Sequence, residues 1–139
     1  IVEYIKSNSH FSIGMASVEE IYKINILKAS LLSMKRAINK LKIKPSLILI
    51  DGPYTPEGIN NCKAIVKGDE KIKCISAASI VAKVYRDLLM IKLSKKFNYY
   101  AWERNFGYGT KAHMNGLKKF GTTSHHRKGF KPIHNILSK

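Results

Sequence analysis

Aspartate is scarce in this chain: three residues in 139, Asp51, Asp69 and Asp87. Acidic residues of both kinds number nine against 25 basic ones, for a formal net charge of +16. That imbalance excludes a preference for cationic partners and favours a polyanion, nucleic acid first and an anionic membrane surface second. Arginine is also rare. Of the 25 basic residues only Arg36, Arg86, Arg104 and Arg127 are arginine and 21 are lysine, a bias an AT-rich genome also produces, so the charge by itself carries only part of the case. There are two cysteines, Cys62 and Cys74. Their spacing matches no zinc motif and suits two reduced thiols in a cytosolic protein. No apolar run reaches the roughly 18 residues of a membrane span, and no signal peptide is visible. The sequence predicts a cytoplasmic protein with no membrane association.

What is present is a globular composition, 45% hydrophobic, long enough for one domain with a real core. Ile1 to Lys6 has the character of a helix already under way, and the expectation is an N-terminal truncation. Phe11 to Ala16 alternates weakly and predicts a strand. Ser17 and Glu20 then make a capping box. Ile21, Ile24, Leu27, Leu31, Met34, Ile38 and Leu41 follow at steps of three and four, the pattern of one buried face on a long helix. Pro45 blocks its continuation. Leu47 to Ile50 is apolar throughout, as in a fully buried strand of a parallel sheet.

Residues 53–63 predict a loop, rich in Pro, Gly and Asn. Ala64 to Val66 predicts a short strand and Lys67 to Lys71 a turn. A second long helix is expected from about Ala77 to Lys96, buried through Ile80, Val81, Val84, Leu88 and Ile91. Residues 97–109 are aromatic and irregular. A short helix after Thr110 would carry Met114 and Leu117 inside and end at Gly121. Strand, helix, buried strand and helix in this order imply a layered α/β sheet.

In such sheets, sites lie at the carboxyl ends of strands. Asp51 is at such an end, held rigidly enough to ligate a metal, although Asp-Gly after a strand is also an ordinary turn. Asp69 follows Gly68 in a turn, where a solvated carboxylate is the simpler reading. Asp87 lies four residues after Lys83 on a helix and suits a surface ion pair better than catalysis. In Phe106-Gly107-Tyr108-Gly109-Thr110, two glycines allow close approach of a nucleic-acid backbone. Tyr108 can stack on a base or sugar, and Thr110 can cap a helix whose amides face phosphate. The small residues Ser76, Ala77, Ala78 and Ser79 suit close helix packing better than phosphate binding. His125-His126-Arg127 offers a phosphate contact.

Taken in order, several segments closely resemble bacterial ribonuclease HII. They are Asn25-Ile26-Leu27-Lys28-Ala29, Leu49-Ile50-Asp51-Gly52, Lys67-Gly68-Asp69, the run from Ile75-Ser76-Ala77-Ala78-Ser79 through Tyr85-Arg86-Asp87, Gly107-Tyr108-Gly109-Thr110-Lys111 and His126-Arg127. The likeness covers nearly all residues 1–139 as a partial catalytic domain, with a substrate-binding segment from about residue 97. It implies a ribonuclease H-like layered α/β sheet lacking its first strands, plus a C-terminal helical segment. It implies endonucleolytic cleavage of RNA in RNA–DNA hybrids and incision at ribonucleotides embedded in duplex DNA, by a two-metal mechanism with Mg²⁺ or Mn²⁺.

Of the family's four acidic ligands, two map onto Asp51 and Asp69. The junction-reading tyrosine maps onto Tyr108, flanked by Gly107, Gly109 and Thr110. Lys83 and Arg127 map among the nucleic-acid contacts, and Asp87 with Arg86 take supporting positions outside the metal quartet. The remaining acids form an Asp-Glu-x-Gly-Arg-Gly motif that nothing in this sequence matches. The chain on its own is therefore expected to be inactive or weak, and the complete protein monomeric. The alternatives are a non-catalytic basic nucleic-acid-binding remnant and a basic RNA-associated structural protein.

Overall fold

The computed structural model describes residues 1–97, 100, 102–105, 108, 110–120 and 122–126. The chain divides into two compact units. The first comprises Ile1–Ser17 with Ile24–Lys83, the second Val18–Lys23 with Val84–Lys139.

In the first unit, helix α1 (Val2–Asn8) is followed by an irregular extended segment. The strand expected at residues 11–16 is absent, because that segment is tied to a helix by side-chain hydrogen bonds. Helix α2 (Val18–Lys40) begins one residue after Ser17. Its Arg36 donates to the Met15 carbonyl at 2.8 Å and its Lys40 to the Ile13 carbonyl at 3.2 Å. The Ser12 hydroxyl reaches the Ala37 carbonyl. Gly14 permits this seat, since a β-carbon there would lie 2.0 Å from the Ser33 carbonyl oxygen.

The continuous helix expected over residues 18–41 is also broken. Asn25 has φ 74° and ψ 169°, outside helical values. Its side-chain oxygen accepts the Lys28 amide at 3.0 Å, the bond an N-cap makes at the start of a new helical segment. Of the apolar stripe, Leu31, Met34 and Ile38 are half-buried and Leu27 is exposed, while the fully buried residue is Ala29.

Strands β1 (Ile48–Asp51) and β2 (Cys62–Ile65) pair in parallel, Ile48 with Cys62 through Asp51 with Ile65. β2 therefore starts two residues earlier than its apolar residues suggest. Only Ile50 of β1 is buried, and Leu47 is exposed, against the fully buried strand its composition predicts. A single helical turn, α3 (Gly68–Lys71), leads to helix α4 (Lys73–Lys96), four residues longer at its start than expected. Ile75 and Val81 of α4 are buried.

In the second unit the core is Met90, Tyr100, Trp102 and Leu117, with Leu93, Phe97 and Met114 against it. Met90 takes the inward position expected of Leu88, which is exposed. Trp102 and Tyr100 stack with ring centroids 4.9 Å apart. The aromatic stretch includes a short helix, α5 (Trp102–Asn105), and α6 (Lys111–Phe120) follows Thr110 as expected, burying His113, Gly116 and Leu117. No described helix is long and apolar enough to cross a membrane.

Candidate active site

Asp51 is the last residue of β1, and the ladder closes just beyond it, where the Gly52 amide donates to the Ile65 carbonyl at 2.9 Å. The neighbouring strand then turns through Lys67, whose φ of 54° and ψ of 39° are left-handed. That turn aims the Gly68 amide at Asp51. It donates to Asp51 Oδ1 at 2.9 Å and fixes the orientation of the carboxylate. Asp69 is the next residue. Spacing alone cannot say whether the chain returns to Asp51 after leaving it; the parallel pairing of β1 and β2 brings it back, and the Gly68 bond to Asp51 sets Asp69, the following residue in α3, one residue beyond that contact. Both aspartates are exposed.

Gly68 is required by this arrangement. A β-carbon there would lie 2.7 Å from Ile75 Cδ1 and 3.5 Å from Asp51 Oδ1. The buried Ile75 of α4 thus packs directly against the turn that carries Asp69. Among the described residues, no group of three or more His, Cys, Asp or Glu side chains could hold a metal ion. The aspartates at this strand end and its adjoining turn are Asp51 and Asp69.

Of the other candidate site residues singled out in the sequence, Lys83 closes the first unit and the rest fall in the second. Tyr108 is 67% exposed, and the Arg86 guanidinium lies 6.0 Å from its ring centroid. Arg86 thus accompanies Tyr108, a pairing the sequence alone did not suggest. Asp87 lies half-buried on α4 and Lys83 is exposed on the same helix. Thr110 caps α6: its hydroxyl accepts the His113 amide at 3.3 Å and also takes the Asn105 side-chain amide at 3.1 Å. Gly107, Gly109 and Arg127, predicted at the nucleic acid, and the Gly121 helix end lie outside the described residues.

One expectation is corrected. His126, in the proposed phosphate contact, is only 6% exposed and belongs to the aromatic core. Its Nδ1 accepts the Thr123 amide at 2.9 Å, and its Nε2 is 3.1 Å from His113 Nε2. Burial, then the proximity of His113 and His125, lowers its pKa from 6.5 to about 4. His125 remains exposed, with its ring 5.5 Å from that of Phe97. The sequence reading missed the buried set of Trp102, Asn105, His113 and His126. The available signal was the placement of two histidines and the single tryptophan among aromatics, which favours a polar network within a core.

Two parallel strands, the first ending in Asp51, with helices around them, define a ribonuclease H-like α/β protein. The chain resembles the ribonuclease H2 of Pyrococcus horikoshii OT3 with a TM-score of 0.65 and 25% identity, covering 88% of this chain and 65% of that one. Residues 2–133 match the family described as Ribonuclease HII. The Ribonuclease HII of Pelagibacter ubique is 60% identical over 137 residues, covering 97% of this chain and 73% of the relative. That of Roseobacter denitrificans is 46% identical over 134 residues, covering 96% and 68%. The chain belongs to the ribonuclease HII family.

Proposed function

We propose that the protein hydrolyses the RNA strand of RNA–DNA hybrids and incises duplex DNA at embedded ribonucleotides. The observation that carries this reading is the bond from the Gly68 amide to Asp51 at the end of β1, which brings the helical turn bearing Asp69 to that strand end. A carboxylate on a strand end and a second on the helical turn bonded to it offer oxygen donors of the kind Mg²⁺ and Mn²⁺ take, so Asp51 and Asp69 are the residues that would hold the ion. When bound, a divalent ion supplies Lewis acidity at the scissile phosphate. Asp51, oriented by the Gly68 amide, presents a fixed carboxylate. Asp69 adds a second charge on the adjoining turn. Water's oxygen bonds to phosphorus as the bond to the 3′-oxygen breaks, leaving a 5′-phosphate and a 3′-hydroxyl.

Tyr108 is available for stacking on a sugar or base at the junction, and discrimination of RNA from DNA rests on the 2′-hydroxyl. Lys83, Arg127 and the amides around Gly107, Gly109 and Thr110 are assigned to backbone contacts, and Asp87 and Arg86 to supporting roles. The working protein acts as a monomer in the cytoplasm.

A second reading has an observation in its favour: the described residues gather no cluster of three or more metal-ligating side chains. In that case the 139 residues bind hybrid without cutting it. One experiment separates the two. The chain is incubated with a DNA duplex holding one ribonucleotide, with Mg²⁺ or Mn²⁺, while Mn²⁺ binding is followed by electron paramagnetic resonance. We expect weak, metal-dependent incision and Mn²⁺ binding, both lost in Asp51→Asn and Asp69→Asn. Salt-sensitive binding with no incision at any metal concentration supports the second reading. Strong incision that survives Asp51→Asn overturns the assigned site.

A further inference from the structure

The polar network in the core of the second unit points outward at Tyr108. Trp102 Nε1 can only donate a hydrogen bond. It lies 3.2 Å from His113 Nε2, which must therefore be the unprotonated, accepting nitrogen. His126 agrees with this assignment. Its Nδ1 accepts the Thr123 amide, so its proton sits on Nε2, which donates to the same His113 Nε2 across 3.1 Å. A neutral His113 must then carry its proton on Nδ1. That nitrogen is 3.0 Å from the Tyr108 carbonyl, which can only accept. The donors thus run in one direction, from Thr123 through His126 and His113 to the main chain of Tyr108, with Trp102 joining at His113.

All three rings of this network are buried: Trp102 is 1%, His113 5% and His126 6% exposed. The phenol they support is not buried. The main chain of Tyr108 is held at two further points, its amide donating to the Asn105 carbonyl at 2.9 Å and its carbonyl accepting the Thr110 amide at 2.8 Å. A solvent-facing aromatic on so constrained a backbone is placed before any ligand arrives, which reduces the ordering cost of contact.

We propose that His113, in its neutral Nδ1–H tautomer, is a positioning residue that sets Tyr108 for nucleic-acid contact through the Tyr108 carbonyl, and that Trp102 and His126 select this tautomer. The inference rests on the reading of Tyr108 as a substrate-contacting residue and adds what holds it there.

The test compares two substitutions that split the ring's functions. His113→Asn puts an amide N–H near the place of Nδ1 and gives up the acceptor facing Trp102. His113→Gln keeps a polar group near Nε2 and gives up the donor to Tyr108. Binding of a duplex with one ribonucleotide, relative to the all-DNA duplex, is measured by fluorescence anisotropy for both, beside Tyr108→Ala. Loss of an aromatic stack should reduce binding by about tenfold in Tyr108→Ala. His113→Gln should reproduce most of that loss, and His113→Asn should recover most of the binding. Equal losses in the two histidine variants would mean a merely structural role and overturn the inference.

If Tyr108→Ala weakens binding while both histidine variants bind normally, the positioning role fails and the reading of Tyr108 stands. If Tyr108→Ala binds normally, the reading of Tyr108 fails and takes the inference with it. Nitrogen NMR of the unsubstituted protein tests the tautomer independently of whether the variants fold. A neutral His113 ring with its proton on Nδ1 supports the proposal; a proton on Nε2 overturns it.

Discussion

His126 shows how strongly a single buried residue can depend on proton concentration. Its pKa is about 4 in the folded chain against 6.5 for an ordinary histidine. Between those values the unfolded chain binds a proton that the folded chain refuses, so stability falls as pH drops from about 6.5 to about 4 and is unaffected above that range. The full loss is roughly 3 kcal/mol, from about 1.4 kcal/mol per pKa unit. Urea denaturation at neutral pH and near pH 4.5 should show this decline. His126→Gln should be less stable at neutral pH, and its deficit should shrink on acidification. A constant deficit would mean that His126 titrates normally in the folded state. Asp51 presents the opposite case: its role comes from one directed bond, the Gly68 amide to Oδ1, which orients the carboxylate.

Among the elements, the seat of residues 12–15 on α2 is the most demanding contact. A β-carbon at Gly14 would meet backbone at 2.0 Å on Ser33 and 2.4 Å on Ala37. Backbone cannot rotate out of the way as a side chain can, so Gly14→Ala must lift the segment and strain the bonds from Arg36 and Lys40. The cost should be about 3 kcal/mol or more, at the upper end of overpacking effects, read by chemical denaturation. Unchanged stability would show that the segment is not seated on α2. Apolar periodicity predicted α2 as one helix, but it carries no information about an interruption such as Asn25. The stripe on α4 placed Leu88 inside where Met90 is found, because the packing direction of that helix is set by the aromatic cluster of Tyr100 and Trp102. The short helix after Thr110 was legible, since a cap residue and an apolar pair announce it locally.

For the molecule as a whole, the charge of +16 makes nucleic-acid binding a salt-dependent event. Each phosphate neutralised releases counterions, so a binder of about four phosphates loses about a hundredfold in affinity between roughly 50 and 200 mM salt. Titration of an RNA–DNA hybrid at several salt concentrations should give a steep linear dependence of log affinity on log salt. A flat dependence would mean that the lysines are a solvated coat and that binding rests on other contacts.

By itself the sequence determined the family, the α/β class, the strand that ends at Asp51 and the helices after Ser17 and Thr110. These are local signals: apolar runs, caps, and side chains whose chemistry is visible one at a time. Tertiary structure alone decided that the turn before Asp69 meets Asp51, because strand pairing joins residues far apart in the chain and only the register of β1 against β2 brings the Gly68 amide to that carboxylate. It also decided that His126 faces inward to His113 while its neighbour His125 stays exposed. Adjacent side chains with the same chemistry are separated by which of them the core encloses, and burial is a property of the packed molecule.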